Sequence, residues 1–203
     1  MKRTHSAFAR AFIHTSLGSV IVVALLLVEK MDVVVALVLL TVCFLCLELV
    51  RFISPTFGQW ISAHLALFMR AEEDTRPMGA SYFLIGSVVT AAAFPRDVAV
   101  VAMLFLSFGD PIATLVGRWR GRVKVWSKTL EGSLSCLAIC LLAGTLSASF
   151  WESPQLGVVV VGAFFASICE MLPLHVNDNI TIPIGAGASM LAAQWVLRTW
   201  IGS

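Results

Sequence analysis

Charged residues are scarce in this chain of 203 residues, of which 13% are charged and 59% are hydrophobic. A soluble globular domain carries about 25% charged residues. Mean hydropathy is correspondingly high, at +0.91, and no polar stretch is long enough to enclose a core of its own. The composition excludes a soluble domain and predicts a single integral-membrane domain over residues 1–203.

Paired cysteines and a P-loop are also missing. The five cysteines are Cys43, Cys46, Cys136, Cys140 and Cys169. All lie inside apolar segments, their number is odd, and no histidine cluster accompanies them. A disulfide framework and a zinc site are therefore both disfavoured. The spacing GxxxxGK[ST] of a Walker nucleotide-binding loop occurs nowhere. A nucleotide site, if present, must be built differently.

Long apolar segments dominate instead. Seven can be drawn, at Phe12–Val28, Val33–Val50, Ala80–Phe94, Val98–Val116, Thr129–Phe150, Leu156–Leu172 and Ile180–Trp200. Because a spanning helix needs about 20 apolar residues, they predict an all-α bundle of about seven transmembrane helices. The first and third are short, which leaves six spans plus a re-entrant element open. Thr56–Met69 is too short to cross and predicts an interfacial or short buried helix.

The N-terminal segment resembles a signal peptide, but no small-residue cleavage site follows it, so we expect a retained first helix. With the N-terminus in the cytoplasm, eleven Lys and Arg residues fall on the cytoplasmic side and three (Lys30, Arg96 and Arg198) on the other. This bias follows the positive-inside rule. It predicts a multi-pass protein with a cytoplasmic N-terminus. The short chain, with no appended domain, suggests a prokaryotic plasma membrane.

Five carboxylates lie within or beside apolar segments, toward the predicted cytoplasmic ends: Glu48, Asp110, Glu131, Glu170 and Asp178. A carboxylate in hydrocarbon is costly and usually marks a site. Pro111 cannot donate a backbone hydrogen bond, so we expect the helix to break beside Asp110 and to face protein or a watery cavity. The five carboxylates predict the floor of a cytoplasm-facing pocket.

The stretch from Gly117 to Lys128 is basic. Basic loops are expected on the inside of a membrane, so topology control is one interpretation. The other is phosphate binding, because glycines let backbone N–H groups approach phosphate oxygens and cations neutralise them. On that interpretation the nucleotide-binding residues are Gly117, Arg118, Gly121, Arg122, Lys128 and Thr129.

Asn177-Asp178-Asn179 precedes the last apolar segment. Asn and Asp are favoured helix N-caps, which would explain one of them. The same oxygens suit Mg²⁺, which is the second interpretation. Arg76, Gly79 and Tyr82, at the start of the third segment, fit either an interfacial turn or a substrate contact.

His14 and Glu48 are isolated polar residues near segment ends. His14 lies one helical turn from Arg10, and it can be either a satisfied polar residue or part of the site. Glu48 and Arg51 have the i, i+3 spacing of a helical ion pair.

Two motifs, GDPIATLVGRWRGRVKVWSKTLEG at Gly109–Gly132 and DNITIPIGAG at Asp178–Gly187, are similar to those of the CTP-dependent polyprenol and diacylglycerol kinase family. That family includes dolichol kinase, phytol kinase and the fungal diacylglycerol kinase. RAFIH at Arg10–His14 and RPMGASYFLIG at Arg76–Gly86 agree with it in order.

The resemblance implies transfer of the γ-phosphoryl group of CTP to the hydroxyl of a lipid alcohol. Asp110, Asp178 and Glu131 are then the predicted catalytic and Mg²⁺-binding carboxylates, and one aspartate could instead take the hydroxyl proton. Asn177 and Asn179 would join the basic residues in binding nucleotide. His14, Glu48, Arg76, Gly79 and Tyr82 would contact the lipid.

Two alternatives stay open. Phosphatidate cytidylyltransferases have a similar pattern, but their usual Ser-Pro before the lysine is replaced here by Trp126-Ser127. A non-enzymatic transporter or scaffold should have carboxylates along a path through the membrane, whereas these gather at one end. The expected partners are CTP, a lipid alcohol (diacylglycerol, a polyprenol or phytol) and membrane lipids, with no nucleic acid.

Overall fold

A computed structural model describes residues 2–65, 69, 73, 75–150, 154–174 and 176–200. Its helices are α1 Lys2–Leu27, α2 Lys30–Ile53, α3 Pro55–Leu65, α4 Gly79–Ala93, α5 Arg96–Leu104, α6 Asp110–Arg120, α7 Leu130–Phe150, α8 Leu156–Met171 and α9 Asp178–Trp200. A π turn, Phe105–Gly109, joins α5 to α6. Two short strands, β1 Lys124–Val125 and β2 Lys128–Thr129, lie between α6 and α7.

Each of the seven predicted apolar segments forms a helix. Five helical stretches are long and apolar enough to cross a membrane: Ala7–Leu27, Lys30–Ile53, Arg96–Arg120, Leu130–Ala148 and Asp178–Thr199. Gly79–Ala93 and Leu156–Met171 are apolar but shorter. The first helix is not short, because it begins at Lys2 rather than Phe12. The predicted all-α membrane bundle is confirmed.

The Arg96–Arg120 stretch forms the centre of the bundle. Of the 18 consecutive residues that are most apolar in this stretch, 67% are buried. The same measure is 22–33% in the four other long stretches. Val98, Val101 and Phe105 are completely buried, and α1, α4, α7 and α9 all pack against α5. The outer helices expose large apolar side chains, such as Leu39 and Leu47 of α2, as helices that contact lipid do.

Hydrogen bonds between loops define the two ends of the bundle. One end lies away from the functional residues described below, and we name it the opposite end. There, Lys30 Nζ donates to the carbonyl of Phe94 (2.7 Å), and Arg96 donates to the carbonyl of Val28. The other end, which we name the site end, holds Arg51, Gly79, Lys128 and Asp178. There, Asn179 Nδ2 donates to the Gly79 carbonyl (2.9 Å).

The expected helix break at Pro111 is wrong. The chain stays helical from Arg96 to Arg120, and the π turn just before Asp110 accommodates the proline. The missing N–H of Pro111 would have bonded the carbonyl of Ser107, four residues earlier. Thr15 Oγ1 of α1 donates to that carbonyl instead (2.9 Å). Tertiary contact therefore supplies the donor that the proline removed.

A β-hairpin, which the sequence did not predict, occupies the basic stretch. Lys124 pairs with Thr129 and Val125 with Lys128, in antiparallel register. Trp126 in the two-residue loop has φ of 53°, a conformation uncommon for a bulky residue. The hairpin folds Lys128 back toward the helices. Residues 66–68 of the predicted interfacial helix lie outside the described residues. Residues 56–65 belong to α3, and Met69 lies in a bend beyond it.

Candidate functional site

Lys128 is the centre of a charged cluster at the site end. Its ammonium nitrogen lies 2.5 Å from Asp178 Oδ2, at the start of α9, and 3.1 Å from Glu170 Oε1, near the end of α8. The Lys128 side chain is 25% exposed and that of Asp178 27%, whereas Glu170 is almost fully buried at 3%. The cluster can be reached from the aqueous side, and one of its carboxylates is fixed in the protein.

The cluster keeps Lys128 charged. Burial by itself would lower the pKa of Lys128, but the charges of Asp178 and Glu170, a hydrogen bond to Asp178 and the charge of Asp110 together raise it above its usual range. The ammonium group is therefore present throughout the neutral pH range. A permanent cation among carboxylates is a suitable neighbour for the oxygens of a polyphosphate.

Glu170 is held by serines. Ser133 Oγ of α7 donates to Glu170 Oε2 (2.6 Å), and Ser167 Oγ of α8 donates to the carbonyl of Ser133 (2.8 Å). A buried carboxylate is tolerated when it is both paired and hydrogen-bonded. Lys128 and Ser133 meet both conditions and fix Glu170 between α7 and α8.

Asp110 approaches the same cluster from the centre of the bundle. It is close enough to interact electrostatically with both Lys128 and Asp178. On its other side, Oδ2 lies 4.0 Å from Nδ1 of His14 in α1. The His14 ring packs edge-on against Phe83 of α4, with centroids 4.8 Å apart. Asp110 thus stands between the charged cluster and the more apolar helices.

The three residues Asn177-Asp178-Asn179 have three different partners. The Asn177 side chain accepts a hydrogen bond from the Asn179 backbone (3.0 Å), so it caps α9. Asp178 pairs with Lys128, while Asn179 reaches the Gly79 carbonyl. The cap interpretation therefore accounts for Asn177 alone.

A buried clasp at the end of α2 fixes the loop that leads into α4. Glu48 Oε1 accepts from Arg51 (3.2 Å) and from the backbone of Met78 (2.6 Å), and Oε2 accepts from Ser81. Arg51 also donates to the carbonyls of Glu73 and Arg76. The clasp reaches the charged cluster indirectly, because the Gly79 carbonyl binds Asn179, the neighbour of Asp178.

Gly117 and Gly121 lie against the hairpin. A Cβ atom on Gly117 would come within 2.8 Å of Thr129 Oγ1, and one on Gly121 within 2.6 Å of Thr129 Cγ2. The two glycines therefore allow β2 to pack directly on α6. Thr129 Oγ1 also accepts from the Gly132 backbone (3.2 Å) and so caps α7.

The remaining predicted site residues lie around this centre. Arg118 and Arg122 are exposed beside the hairpin, and Tyr82 is half-buried in α4. Arg76 is exposed, although its carbonyl belongs to the clasp. Glu131 accepts from the backbone N–H of Val123 (3.2 Å), so it fastens the hairpin. Its carboxylate is directed at the hairpin backbone rather than at Lys128.

Carboxylate oxygens suit Mg²⁺, but in the described part of the chain no three His, Cys, Asp or Glu side chains form a metal-binding group. Magnesium in nucleotide sites usually takes one or two carboxylates and completes its shell with phosphate and water. Asp178 and Glu170, which share Lys128, would be the carboxylates of such a site.

Sequence reasoning placed Glu170 only on the floor of the predicted pocket, paired Arg51 only with Glu48, and gave Ser133 no role. The signal for Glu170 was present, since it is a carboxylate within an apolar segment. Ser133 had no signal, because serines are common in transmembrane helices. Arg51 was paired with Glu48 by spacing, but its hydrogen bonds to the carbonyls of Glu73 and Arg76 depend on the tertiary fold.

Comparison with known proteins points to lipid kinases. A CTP-dependent diacylglycerol kinase 1 of Eremothecium gossypii is 27% identical over 164 residues, covering 69% of this chain and 52% of its own length. The enzyme of that name from Schizosaccharomyces pombe is 26% identical over 153 residues (68% and 70%). A probable chloroplastic phytol kinase 1 of Oryza sativa is 28% identical over 159 residues (68% and 49%).

The chain is similar in sequence to these kinases, at 26–28% identity. The resemblance expected from the Asp110 and Asp178 motifs is thereby confirmed. The chain spans about half the length of the Eremothecium and rice kinases. No family model matches it, and no solved structure matches it either.

Proposed function

We propose that this protein transfers the γ-phosphoryl group of CTP to the hydroxyl of a membrane lipid alcohol. The observation that carries the proposal is the Lys128 cluster, in which a buried Glu170, Asp178 and the nearby Asp110 surround a cation at the site end. CTP and the acceptor class are taken from the names of the kinase relatives, which specify CTP-dependent diacylglycerol kinase and phytol kinase.

The position of the cluster suits a reaction between a water-soluble and a lipid substrate. A nucleotide reaches Lys128 from the aqueous side, where Arg118 and Arg122 are also exposed. A lipid hydroxyl reaches Asp110 from the bilayer, on the side of α1 and His14. Because phosphoryl transfer depends mostly on positioning and charge neutralisation, a cationic site where these two routes meet suits the reaction.

Each charged residue of the site has its own role in the proposed reaction. Lys128, Arg118 and Arg122 bind the triphosphate and neutralise the charge that builds up on it. Asp178 and Glu170 would hold Mg²⁺, which neutralises the β- and γ-phosphate oxygens when bound. The lipid hydroxyl oxygen bonds to the γ-phosphorus, the bond to the bridging oxygen breaks, CDP leaves, and Asp110 accepts the hydroxyl proton.

The site end faces the cytoplasm in this proposal. The topology predicted from the sequence assigns eleven of the fourteen Lys and Arg residues to that side, in agreement with the positive-inside rule, and CTP is then available to the site. The host membrane we propose is a prokaryotic plasma membrane.

Asp110→Asn tests the proposal in purified protein, with radiolabelled CTP and ATP assayed in parallel against diacylglycerol, a polyprenol and phytol. We expect turnover to fall by about 100-fold or more, since a general base contributes at least that much. Asp32→Asn, an exposed position in the first turn of α2, is the control and should keep full activity.

The products separate this reaction from its closest alternative. A kinase releases CDP and phosphorylates an alcohol, whereas a cytidylyltransferase releases pyrophosphate from CTP and a phospholipid acid. Pyrophosphate as the product, or normal turnover in Asp110→Asn, would refute the assignment made here.

A further inference from the structure

Ser133, near the start of α7, is bound to α8 through both of its polar groups. Its hydroxyl donates to Glu170 Oε2 (2.6 Å), and its backbone carbonyl accepts from Ser167 Oγ (2.8 Å). Ser167 and Glu170 are three residues apart, so they lie on one face of α8. That face therefore holds Ser133 at two points, and all three residues are buried.

The Ser133 hydroxyl has one proton to donate and two acceptors within reach. A serine inside a helix commonly donates to the carbonyl four residues earlier, which here is the carbonyl of Thr129, 3.3 Å away. Glu170 Oε2 is closer, at a distance that is usual when a hydroxyl donates to a carboxylate. The proton of Ser133 is therefore used between the two helices rather than within α7.

This bond gives the two oxygens of Glu170 separate partners. Oε1 lies 3.1 Å from the Lys128 nitrogen, in the partly exposed cluster, while Oε2 is held by Ser133 in the buried interior. A glutamate side chain has considerable rotamer freedom, and a contact with a partly exposed lysine would not by itself fix its direction. The Ser133 hydroxyl supplies the second point that keeps Oε1 in the cluster.

We propose that Ser133 is a positioning residue, which keeps Glu170 Oε1 in place to bind the divalent metal of the CTP complex. The inference rests on the function proposed above, in which Asp178 and Glu170 hold Mg²⁺, and it adds the group that orients one of these carboxylates. Removing a hydrogen bond that orients a metal-binding side chain lowers metal affinity or activity by about 10- to 100-fold.

Ser133→Ala tests this, because it removes the donor but keeps the carbonyl that Ser167 binds. We expect the KM for Mg·CTP to rise by about tenfold or more. A binding measurement excludes effects on the chemical step. In equilibrium dialysis of radiolabelled CTP without lipid alcohol, Ser133→Ala should weaken the binding of Mg·CTP by the same factor and leave the binding of CTP in EDTA unchanged.

Ser167→Ala is the matched control for a structural role. It removes a buried hydrogen bond between the same two helices but leaves the donor to Glu170 in place. A purely structural role of Ser133 predicts similar losses of Tm and similar nucleotide binding in the two variants, whereas a positioning role predicts that Ser133→Ala alone weakens Mg·CTP binding. Ser135→Ala, which loses a bond to the Gly132 carbonyl within α7, should have neither effect.

Thermal unfolding in detergent establishes that the variants fold. If Ser133→Ala does not, Ser133→Cys keeps the side-chain volume with a weaker donor and should give a smaller effect in the same direction.

Equal Mg·CTP affinities in the Ser133 and Ser167 variants would overturn the inference and leave the kinase assignment intact. An equal loss of CTP affinity with Mg²⁺ and in EDTA would also overturn it, because the effect would then not act through the metal, and so would a CTP affinity of the unsubstituted protein that does not depend on Mg²⁺. A metal-specific loss in Ser133→Ala, in a protein that phosphorylates no lipid alcohol, would instead count against the proposed function alone.

Discussion

At the residue scale, Lys128 has a structural role and a proposed nucleotide-binding role, which a double variant can separate. It pairs with the buried Glu170 and with Asp178, so it stabilises the fold, and it is also the cation we assign to the nucleotide. Removing one partner of a buried ion pair leaves an uncompensated charge, which is more costly than losing the pair itself.

Lys128→Ala should therefore lower both stability and CTP binding. We expect a loss of about 2 kcal/mol, less than for a fully buried pair because Lys128 is partly exposed, and a fall in Tm of roughly 4–8 °C. The KM for CTP should rise by about tenfold or more, since a charge-assisted contact to phosphate is lost. Thermal unfolding and steady-state kinetics measure the two effects.

Lys124→Ala is the matched control, because Lys124 is exposed on the other strand of the hairpin. The double variant Lys128→Met/Glu170→Gln removes the pair as a whole and should recover much of the stability but none of the CTP affinity. If it recovered both, Lys128 would have a structural role only.

Residue type and setting identified much of the cluster from the sequence. Burying a carboxylate in an apolar segment costs free energy, so a carboxylate found there usually has a function. On that ground the sequence singled out Glu48, Asp110, Glu131, Glu170 and Asp178. Which of them share a partner could not be predicted. Glu131 turns to the hairpin and Glu48 to the clasp because of contacts with Val123, Met78 and Ser81, which depend on chain folding.

At the scale of elements, the approach of α4 to α9 fixes the start of α9. A Cβ atom on Gly86 would overlap the carbonyl oxygen of Asn179. Asn179 in turn bonds the Gly79 carbonyl, at the first residue of α4. Two contacts along α4 therefore hold the residue that follows Asp178.

Gly86→Ala should displace the start of α9. Overpacking of this kind costs about 1–3 kcal/mol, and because Asp178 moves with Asn179 we expect activity to fall by about tenfold or more, as small misplacements in an active site can cost that much. Gly157→Ala is the control, since no atom outside its own helix and neighbours lies within 4 Å of a Cβ there. Unchanged kinetics in Gly86→Ala would contradict this role of α4.

The π turn is the element that sequence reasoning misjudged. Pro111 predicted a broken helix because it lacks an N–H, and the local argument was sound. The chain instead widens by a π turn, and Thr15 of α1 satisfies the Ser107 carbonyl. The donor to that carbonyl comes from a residue 92 positions away, so no local rule could have found it.

For the whole molecule, the two ends of the bundle should face different compartments. Ser127→Cys at the site end and Glu29→Cys at the opposite end are both at exposed positions. We expect a membrane-impermeant maleimide to label Glu29→Cys in intact cells, and Ser127→Cys only after permeabilisation, because the positive-inside rule puts the site end in the cytoplasm. The unsubstituted protein gives the background from the native cysteines, and the reverse labelling pattern would invert the proposed orientation.

The sequence alone determined the membrane class, the seven apolar helices and the likeness to CTP-dependent lipid kinases, because hydrophobic length and buried charge are properties of short stretches. Only the tertiary structure decided that α5 is the central helix and that the hairpin turns Lys128 onto Asp178 and Glu170. These features depend on which helix packs against which, and packing is set by contacts between residues far apart in the chain.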